Sequence, residues 1–393
     1  MAFNIILFTH YSLSARYSMP RFSNMIVEGM TRRGHQVESW SPPRIFGLFA
    51  KELPILQKWL GYIDQFLIFP FLIRLRLTKI PGDSLLVFCD QALGPWVPFV
   101  KNRPHIIHCH DFLALRGALG ELTHHHPGVT GQLYQRFICW GFSQGNCFIS
   151  VSRSTQEDLH RFLPVPPQLS SVVYNALNSP FEPIPAEQAL VELKELLPDV
   201  HTYSFIMHIG NNWYKNRHGV LQIFEQLSQL TPDLQLVMVS QPTPELKAWL
   251  SNRPNLAKQV KFCQDITFKQ LQSLYSLAQA LVFPSLFEGF GWPVLEALAC
   301  GCPVLTTQVQ PMTEVGGDAA FYISSYPSSQ SEQISWAKKA AEILLEIFTL
   351  APDQKELVKN KGLAHASHFS TEQTMDSYEQ YYYEALKIGS GCG

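Results

Sequence analysis

Two glutamates, Glu288 and Glu296, stand eight positions apart around a Gly-Phe-Gly turn in the segment FPSLFEGFGWPVLEALACGCPVLT, residues 283–306. The apolar run at 281–283 predicts the end of a buried strand, and Pro293 is well placed to begin a helix. We therefore expect Glu288 to project from the intervening loop and Glu296 from the first turn of the helix. Carboxylates accept hydrogen bonds from sugar and ribose hydroxyls, and a helix N-terminus favours an anion. The pattern suits a pocket for hydroxyl groups and phosphate.

Taken singly, each glutamate has an ordinary explanation: Glu288 as a solvated loop residue, Glu296 as a complement to the helix dipole. The joint pattern resembles the Glu-x7-Glu signature of retaining glycosyltransferases of family 4, the glycosyl transferases group 1. That resemblance implies an α/β chain with the GT-B fold, in which two Rossmann-like domains face a cleft. It also implies that Glu288 acts at the donor sugar, that the backbone of Gly289, Phe290 and Gly291 contacts the donor, and that Glu296 binds the nucleotide ribose.

The segment FIMHIGNNWYKNRHGVL, residues 205–221, predicts a strand, a glycine turn and the start of a helix. Gly210 allows the tight turn, and Lys215 and Arg217 follow where the helix begins, a position at which cations oppose the helix dipole unless they bind an anion. Two exposed charges explain these residues equally well. The segment resembles the phosphate-binding strand-loop-helix of family 4, which implies that Lys215 grips a donor diphosphate. An Asn-Asn pair stands where an arginine is common in the family, and Arg217 as its replacement is a hypothesis.

A second polar group lies in the segment IIHCHDFLALR, residues 106–116, at the end of another predicted strand. Alternate histidines, His108 and His110, are able to bind a metal, but no third ligand has a suitable spacing, and the histidines at 124–126 fit a polar loop. The segment is similar to the acceptor-side His-x-His-Asp motif of family 4. The resemblance implies that His110 lies near the reacting sugar and orients or polarises the donor, with Asp111 in support, and that no bound metal is needed.

The loop predicted after the first strand, THYSLSARYSMPRF, departs from the family pattern. Many family members carry a Gly-Gly pair here, which lets the backbone approach the donor phosphate closely. Ser14, Ser18 and Arg21 are candidate phosphate donors in its place, and a solvated loop explains them equally well. The donor geometry of Gly-Gly members therefore does not transfer directly to this chain.

Three further segments match the family in the same order along the chain. Residues 149–159 resemble the end of the N-terminal domain and predict that Ser152 caps a helix. Residues 172–178 resemble the interdomain strand and hinge, and residues 312–323 resemble the segment that closes the nucleotide site.

The chain has 393 residues, of which 46% are hydrophobic, a length comfortable for two domains. Prolines near residue 180 predict a linker. We expect an N-terminal acceptor-side domain at 1–180, a nucleotide-sugar domain at 181–370, a helix at 371–387 and a flexible tail at 388–393. The resemblance implies that the helix at 371–387 crosses back to the N-terminal domain. Strands are predicted at residues 5–9, 85–89, 105–108, 147–151, 205–209, 234–239, 260–262, 280–283 and 304–305.

Residues 53–77 form the most apolar stretch of the chain. Its longest charge-free apolar run, residues 66–73, is far shorter than the roughly 20 residues that span a bilayer. The stretch predicts either a helix buried against the N-terminal sheet or an interfacial helix with Arg74, Arg76 and Lys79 near lipid headgroups.

Charge and cysteine usage bear on partners and location. Residues 1–180 contain 16 Lys or Arg and 10 Asp or Glu, an excess that favours an anionic partner such as a phosphate-bearing acceptor or a membrane surface, although an ordinary mixed surface explains it as well. The eight cysteines show no CxxC spacing, and the opening residues lack the basic region of a secretion signal. We expect reduced thiols and a cytoplasmic location, including the inner face of a membrane, and no nucleic-acid partner.

The patterns and the resemblance to family 4 together predict a hexosyltransferase that uses a UDP-, GDP- or ADP-sugar and a sugar or lipid-linked acceptor, without a cofactor. The resemblance implies that the anomeric configuration is retained and that no metal is needed. Lys215 and the glycine turn would stabilise the leaving diphosphate while an acceptor hydroxyl attacks from the same face. The residues leave open a phosphorylase or epimerase of the same architecture, and a non-catalytic nucleotide-sugar-binding or scaffold protein.

Overall fold

The protein has two compact α/β units, each built on a parallel sheet, which confirms the predicted fold class. The first unit comprises residues 1–178 and 371–393, and the second comprises residues 179–370. The computed structural model describes residues 2–11, 18–49, 54–122, 126–177, 179–202, 204–389 and 391.

The sheet of the first unit contains the strands β1 (Asn4–Phe8), β2 (Gln36–Trp40), β3 (Leu85–Phe88), β4 (His105–Cys109), β5 (Cys147–Ser150) and β6 (Leu169–Val172). They pair in parallel in the order β2-β1-β3-β4-β5-β6. β3, β4 and β5 are buried along their whole length, as expected for central parallel strands. The edge strand β2, with the sequence QVESW, buries only its tryptophan fully, which explains why its apolar pattern did not predict a strand.

The described helices of this unit ahead of residue 178 are α1 (Ser18–Arg32), α2 (Pro54–Ile63), α3 (Phe69–Leu77), α4 (Leu113–Ala118), α5 (Val129–Phe142) and α6 (Arg153–Phe162). Ser152 caps α6 by accepting a hydrogen bond from the backbone N–H of Thr155, as the sequence predicted. Arg21 lies inside α1, so the loop predicted up to residue 22 was too long. Ser14, the side chain of Ser18 and the histidines at 124 and 125 lie outside the described residues. Of the segment 172–178, compared above with an interdomain strand and hinge, Val172 is the last residue of β6, and the boundary between the two units follows residue 178.

The helix predicted over residues 53–77 is present from residue 54, and a π-helical turn, Asp64–Ile68, joins α2 to α3. Phe69 and Ile73 are buried in the core of the unit, as the first of the two alternatives requires. The opposite face is exposed. Among the described helices, none combines the length and the apolarity that crossing a bilayer demands.

A buried carboxylate joins this helix to the chain segment before it. Asp64, 0% exposed, accepts hydrogen bonds from the backbone N–H groups of Ile45, Phe46 and Gly47 at 3.2, 2.9 and 2.9 Å. The Tyr11 hydroxyl also donates to it, at 2.9 Å. Burial, together with the hydrogen bond to Asp64, raises the pKa of Tyr11 to about 12. Asp64 therefore fixes the position of residues 45–47 against the helix.

The sheet of the second unit contains the strands β7 (Phe205–Ile209), β8 (Gln235–Val239), β9 (Val260–Cys263), β10 (Leu281–Phe283), β11 (Val304–Thr307) and β12 (Phe321–Ile323). They pair in parallel in the order β12-β11-β10-β7-β8-β9. The described helices of this unit are α7 (Ala186–Leu193), α8 (Arg217–Leu230), α9 (Pro244–Ser251), α10 (Pro254–Lys258), α11 (Phe268–Leu277), α12 (Trp292–Ala299), α13 (Met312–Gly316), α14 (Gln330–Thr349) and α15 (Pro352–Ser367).

The chain ends in α16 (Thr371–Gly389), which packs in the first unit. Tyr378 and Tyr382 are fully buried, and the Tyr382 hydroxyl lies 2.8 Å from Nε2 of His108 in β4. At the surface, Arg33 binds Glu372 and Asp376 of this helix. The helix includes residues 388 and 389, which the sequence assigned to a flexible tail.

In both sheets the strand order reverses between two neighbouring strands. β1 lies between β2 and β3 in the first sheet, and β7 lies between β8 and β10 in the second. Connections that leave the carboxyl ends of such neighbours run to opposite faces of the sheet, which opens a crevice where ligands bind in α/β proteins. The residues after β1 and β3, and those after β7 and β10, are therefore placed to form a site in each unit.

We predict that Asp64→Ala lowers the free energy of unfolding by about 2–4 kcal/mol, because three backbone N–H groups and a tyrosine hydroxyl lose a buried, charged acceptor. Urea unfolding followed by tryptophan fluorescence measures the loss. Asp83→Ala, at an exposed position in the same unit, is the matched control, with an expected change within about 0.5 kcal/mol. Equal unfolding midpoints for the two variants would contradict the structural role of Asp64.

Candidate functional site

In the second unit, an ion pair between Lys215 and Glu288 joins the loops that follow β7 and β10. Lys215 Nζ lies 2.6 Å from Glu288 Oε1, and the two side chains are 12% and 9% exposed. Ser285 Oγ donates to the same carboxylate oxygen at 2.6 Å and lies 3.0 Å from the carbonyl oxygen of Tyr214. A cation from one loop and a carboxylate from the other thus meet where the strand order reverses.

The loop after β7 is shaped to present Lys215. Gly210 has a φ of 129°, which glycine adopts readily, and a Cβ at this position would lie 2.7 Å from Lys215 Cγ. A 3-10 turn, Trp213–Lys215, follows, and Asn216, at a φ of 53°, then caps α8 with its side chain. Asn216 Nδ2 also donates to the carbonyl oxygen of Pro284 at 3.2 Å, which ties the loop to its neighbour after β10.

The environment of the Lys215 ammonium is largely protein. Its Nζ lies 4.7 Å from the centre of the Phe283 ring and 5.3 Å from that of Tyr214. Ring faces and a carboxylate have replaced much of its water, so removing Glu288 alone would leave a poorly compensated charge. A bound phosphate, by contrast, can take the place of the carboxylate as a partner of the lysine. The pair is suited to exchange an internal carboxylate for an external phosphate.

Glu296 lies in the second turn of α12, not in its first turn as predicted, because the helix already begins at Trp292. Its carboxylate is nearly buried, and Oε2 accepts a hydrogen bond from the Tyr275 hydroxyl at 3.0 Å. Burial raises the pKa of Tyr275 well above its ordinary value, and the charge of Glu296 adds to the effect. Tyr275 therefore stays protonated and holds the carboxylate in one orientation.

The Gly-Phe-Gly turn, residues 289–291, has a stereochemical need for its second glycine. Gly291 has a φ of 103°, and a Cβ there would lie 2.4 Å from Cε of Met312. Phe290 is buried beside Phe369 and Trp292, while Gly289 is partly exposed. The turn therefore needs glycine at its end and is anchored by its phenylalanine.

Arg217, the first residue of α8, points to a different neighbour from Lys215. Its Nη1 donates to the carbonyl oxygen of Gln241, after β8, at 2.7 Å, and Asn211 Oδ1 accepts from the Gln241 backbone N–H at 2.7 Å. Burial lowers the pKa of Arg217, with the charge of Glu245 acting in the other direction. The structure thus pairs Lys215 with Glu288 but does not pair Arg217 with either; a phosphate role for Arg217 stays a prediction.

In the first unit, His110 follows β4 and is bound by residues that follow β3. Its backbone N–H donates to Gln91 Oε1 at 2.8 Å, and its Nε2 lies 2.9 Å from the carbonyl oxygen of Cys89. Because a carbonyl only accepts, Nε2 carries the proton, and Nδ1 of the neutral ring keeps a lone pair. Burial lowers the pKa of His110, which favours this neutral form. Asp111 Oδ1 accepts from the backbone N–H of Leu113 at 3.0 Å, and its support of His110 stays a prediction.

The alternate histidines, His108 in β4 and His110 directly after it, have separate partners. His108 lies against Tyr382, whereas His110 binds the Cys89 carbonyl. Within the described ranges, no group of three or more His, Cys, Asp or Glu side chains is placed to hold a metal ion.

Sequence reasoning missed a polar pair, His10 and Asp90, at the strand reversal of the first unit. His10 Nε2 lies 2.9 Å from Asp90 Oδ2, and Asp90 Oδ1 accepts from the backbone N–H of Ala92 at 2.9 Å. Burial by itself raises the pKa of Asp90, but the hydrogen bond and charge of His10 outweigh it and hold that pKa below its ordinary value. Phe8 lies opposite Phe88 in the sheet, so His10 and Asp90 each follow two residues later in register. That matched position after two buried strands was the available signal.

Beneath the ion pair of the second unit lies a buried histidine. His208, in β7, is 0% exposed, its Nδ1 lies 2.8 Å from the carbonyl oxygen of Val282, and its ring stacks beside Phe283. Nδ1 must therefore donate, and Nε2 has no hydrogen-bond partner among the described residues. Burial, aided by the positive charges of Lys215 and Arg217 and opposed by the hydrogen bond to Val282, lowers the pKa of His208 to about 4.

This histidine gives a stability prediction. Between its unfolded pKa of about 6.5 and its folded pKa of about 4, the unfolded state binds more protons, so stability falls as the pH falls through this window. As the pH falls through this window, the free energy of unfolding of the wild type should decrease more steeply than that of His208→Gln. The expected difference between the two slopes is up to about 1.4 kcal/mol per pH unit. Urea unfolding at a series of pH values measures it. His201→Gln, at an exposed histidine, is the control and keeps the wild-type slope; parallel slopes in all three proteins would refute the assignment.

Comparison with known proteins identifies the family. Residues 199–348 match the family model for glycosyl transferases group 1, and residues 20–179 match that for glycosyltransferase family 4. O-antigen chain mannosyltransferase B of Escherichia coli is 25% identical over 280 residues, 65% of this chain and 66% of that protein. O-antigen chain mannosyltransferase RfbU of Salmonella typhimurium is 27% identical over 180 residues, 45% of this chain and 46% of that protein. The chain thus spans less than two thirds of the length of these relatives.

Solved structures agree in fold. Sucrose-phosphate synthase from Thermosynechococcus elongatus superposes with a TM-score of 0.70 at 16% identity, over 98% of this chain and all of that one. Anabaena HepE, in complex with UDP and glucose, superposes with a TM-score of 0.67 at 16% identity, over 96% of this chain and 98% of that one. Such low identities bear on the fold alone. With both family models matched and the GT-B fold confirmed, the chain belongs to family 4 of the glycosyltransferases.

Proposed function

We propose that this protein is a glycosyltransferase that moves a mannosyl group from a nucleoside-diphosphate sugar to a hydroxyl of a growing polysaccharide chain. The observation that carries the proposal is the Lys215–Glu288 pair at the strand reversal of the second unit, with Glu296 on the helix that follows. The curated relatives are named O-antigen chain mannosyltransferases, which supports mannose as the sugar and a glycan as the acceptor.

The proposed donor site is in the second unit. Lys215 supplies the positive charge for the diphosphate, and the turn at Gly289–Gly291 lies against the same ligand. Glu296 accepts hydrogen bonds from the ribose hydroxyls, in an orientation fixed by Tyr275. HepE, a structural neighbour, is recorded in complex with UDP, which supports a nucleotide ligand for this fold. Arg217 is a second candidate contact to the donor.

In the proposed reaction, the bond between the anomeric carbon and the β-phosphate oxygen breaks, and a bond from that carbon to the acceptor oxygen forms on the same face of the sugar. The acceptor hydroxyl gives its proton to the departing phosphate. Lys215 balances the charge that develops on the leaving diphosphate, so positioning and charge stabilisation supply the catalysis and no covalent protein intermediate is needed. Glu288, released from Lys215 when phosphate binds, accepts hydrogen bonds from the donor sugar.

The first unit is proposed to act on the acceptor side. His110, neutral and held at Nε2 by the Cys89 carbonyl, offers its Nδ1 lone pair to a sugar hydroxyl. Asp111 supports this arrangement through the start of α4. Asp90 and His10, at the strand reversal of the same sheet, add a carboxylate–imidazole pair beside the loop that carries the hydrogen-bond partners of His110.

We predict that Lys215→Ala lowers the rate of sugar transfer about 10²–10³-fold, because the leaving diphosphate loses its closest cation. The readout is transfer of radiolabelled mannose to a polysaccharide acceptor preparation. Lys339→Ala, at an exposed lysine of the same unit, is the matched control and keeps near-normal turnover. Near-normal turnover in Lys215→Ala would refute the site.

We predict that Glu296→Ala abolishes nucleotide-induced stabilisation, since the ribose loses its acceptor. A thermal-shift screen of nucleoside diphosphates and their sugars identifies the base, with a ligand at 100 times its Kd adding about 2.7 kcal/mol of stability. Glu296→Gln keeps an acceptor for Tyr275 and serves as the matched variant; each protein is compared with itself, with and without nucleotide. An undiminished shift in Glu296→Ala would contradict the assignment.

The transfer assay and the thermal-shift screen also distinguish the alternative functions. Binding of a nucleotide sugar without turnover over a broad acceptor panel would support a non-catalytic protein. Turnover that depends on free phosphate would support a phosphorylase, and conversion of the nucleotide sugar alone would support an epimerase.

A further inference from the structure

Exposed large apolar side chains concentrate on three segments of the first unit: residues 45–49, the continuous helix at residues 54–77, and α5. The exposed residues are Ile45, Phe46, Leu48, Phe49, Leu56, Trp59, Leu67, Phe71, Leu75, Val129, Leu133, Phe137 and Trp140. We call the face that they form the apolar surface. Contiguous patches of this kind are uncommon on proteins that stay in water and mark a site of contact.

The spacing of these residues shows that they share a face rather than lie scattered. Leu67, Phe71 and Leu75 follow one another at steps of four, and so do Val129, Leu133 and Phe137. Residues four apart lie on one side of a helix. On α3 the opposite side is buried in the core through Phe69 and Ile73, so the helix is apolar on both its inner and its outer faces.

Ring contacts join the two helices into one surface. The Tyr62 and Tyr134 rings lie 5.8 Å apart, centre to centre, and the Phe66 and Phe137 rings lie 5.6 Å apart. Residues 45–47 are held on the helix by the hydrogen bonds of their backbone N–H groups to Asp64. Residues 45–49 are therefore fixed beside the helix at residues 54–77.

The charges on the apolar surface have one sign. Lys58, Arg74 and Arg136 are exposed on these segments. Among the described residues of the three segments, the single carboxylate is Asp64, which is fully buried. No described carboxylate forms an ion pair with Lys58, Arg74 or Arg136. The partner of this face must accept both apolar side chains and uncompensated positive charge.

We propose that the apolar surface is the contact of the first unit with an anionic lipid bilayer. Leu, Phe and Trp side chains enter the boundary between headgroups and acyl chains, and the three cations lie at the level of the lipid phosphates. A second copy of the chain fits this face less well, because a two-fold contact would bring the same cations of both copies together without an acidic partner. The contact is interfacial, and it does not depend on the proposed transfer reaction.

The test is co-sedimentation of the full chain with vesicles of phosphatidylcholine alone and of phosphatidylcholine with about one third phosphatidylglycerol. The wild type binds the anionic vesicles and is released as salt is raised toward about 1 M, where the Debye length falls to about 3 Å. Arg74→Gln and Arg136→Gln each lower the partition coefficient about fivefold, the value of one basic residue at a charged surface. Leu67→Ser/Phe71→Ser lowers it at least as much as both charge changes together.

The matched control is Val191→Ser/Leu357→Ser, which removes two apolar side chains of the second unit that are at least as exposed as Leu67 and Phe71, and which leaves vesicle binding unchanged. All the variants change exposed side chains, and their thermal unfolding confirms that they fold. Equal binding of the wild type and Leu67→Ser/Phe71→Ser, or no binding of the wild type to anionic vesicles, would overturn the proposal. So would a wild-type dimer in light scattering that Leu67→Ser/Phe71→Ser converts to a monomer, because the face would then join two copies.

Discussion

The ion pair between Lys215 and Glu288 is the interaction on which the account of the second unit depends. Its two residues come from the loops after β7 and β10, which are adjacent strands. The connections that leave these strands run to opposite faces of the sheet. Sheet topology, rather than nearness in sequence, brings them within 2.6 Å. Because both side chains are largely buried, each charge needs a partner, and in the proposed function a phosphate of the donor replaces the carboxylate as the partner of Lys215.

Both units place polar residues at a reversal of strand order, but the residues differ in chemistry. In the first unit, the reversal lies between β1 and β3, and the residues that follow these strands are His10 and Asp90. The pKa of Asp90 is held below its ordinary value and that of the neighbouring His110 is lowered by burial, so a carboxylate and a neutral imidazole coexist there. The second unit instead offers a cation, suited to an anionic donor.

The sequence predicted the central strands well because buried parallel strands are continuous apolar runs, as in β3 and β10. It missed β2, whose edge position leaves polar residues exposed. It placed Glu296 in the first turn of α12 rather than the second, because the helix begins at Trp292, one residue before Pro293, and helix starts depend on local cap geometry. Lys215 and Glu288 were named from their motifs, but their direct pairing needed the order of the strands. The sequence patterns singled out neither His10 nor Asp90, and only the register of β1 with β3 makes them neighbours.

The most direct test of the central claim is calorimetric titration of the nucleoside diphosphate selected by the binding screen into wild type, Glu288→Gln and Lys215→Met. If Glu288 holds Lys215 until phosphate replaces it, Glu288→Gln binds the diphosphate about fivefold to tenfold more tightly than wild type, because the competing carboxylate charge is gone, and Lys215→Met binds it more weakly. Equal affinities in all three proteins, or weaker binding by Glu288→Gln, would contradict the exchange of carboxylate for phosphate.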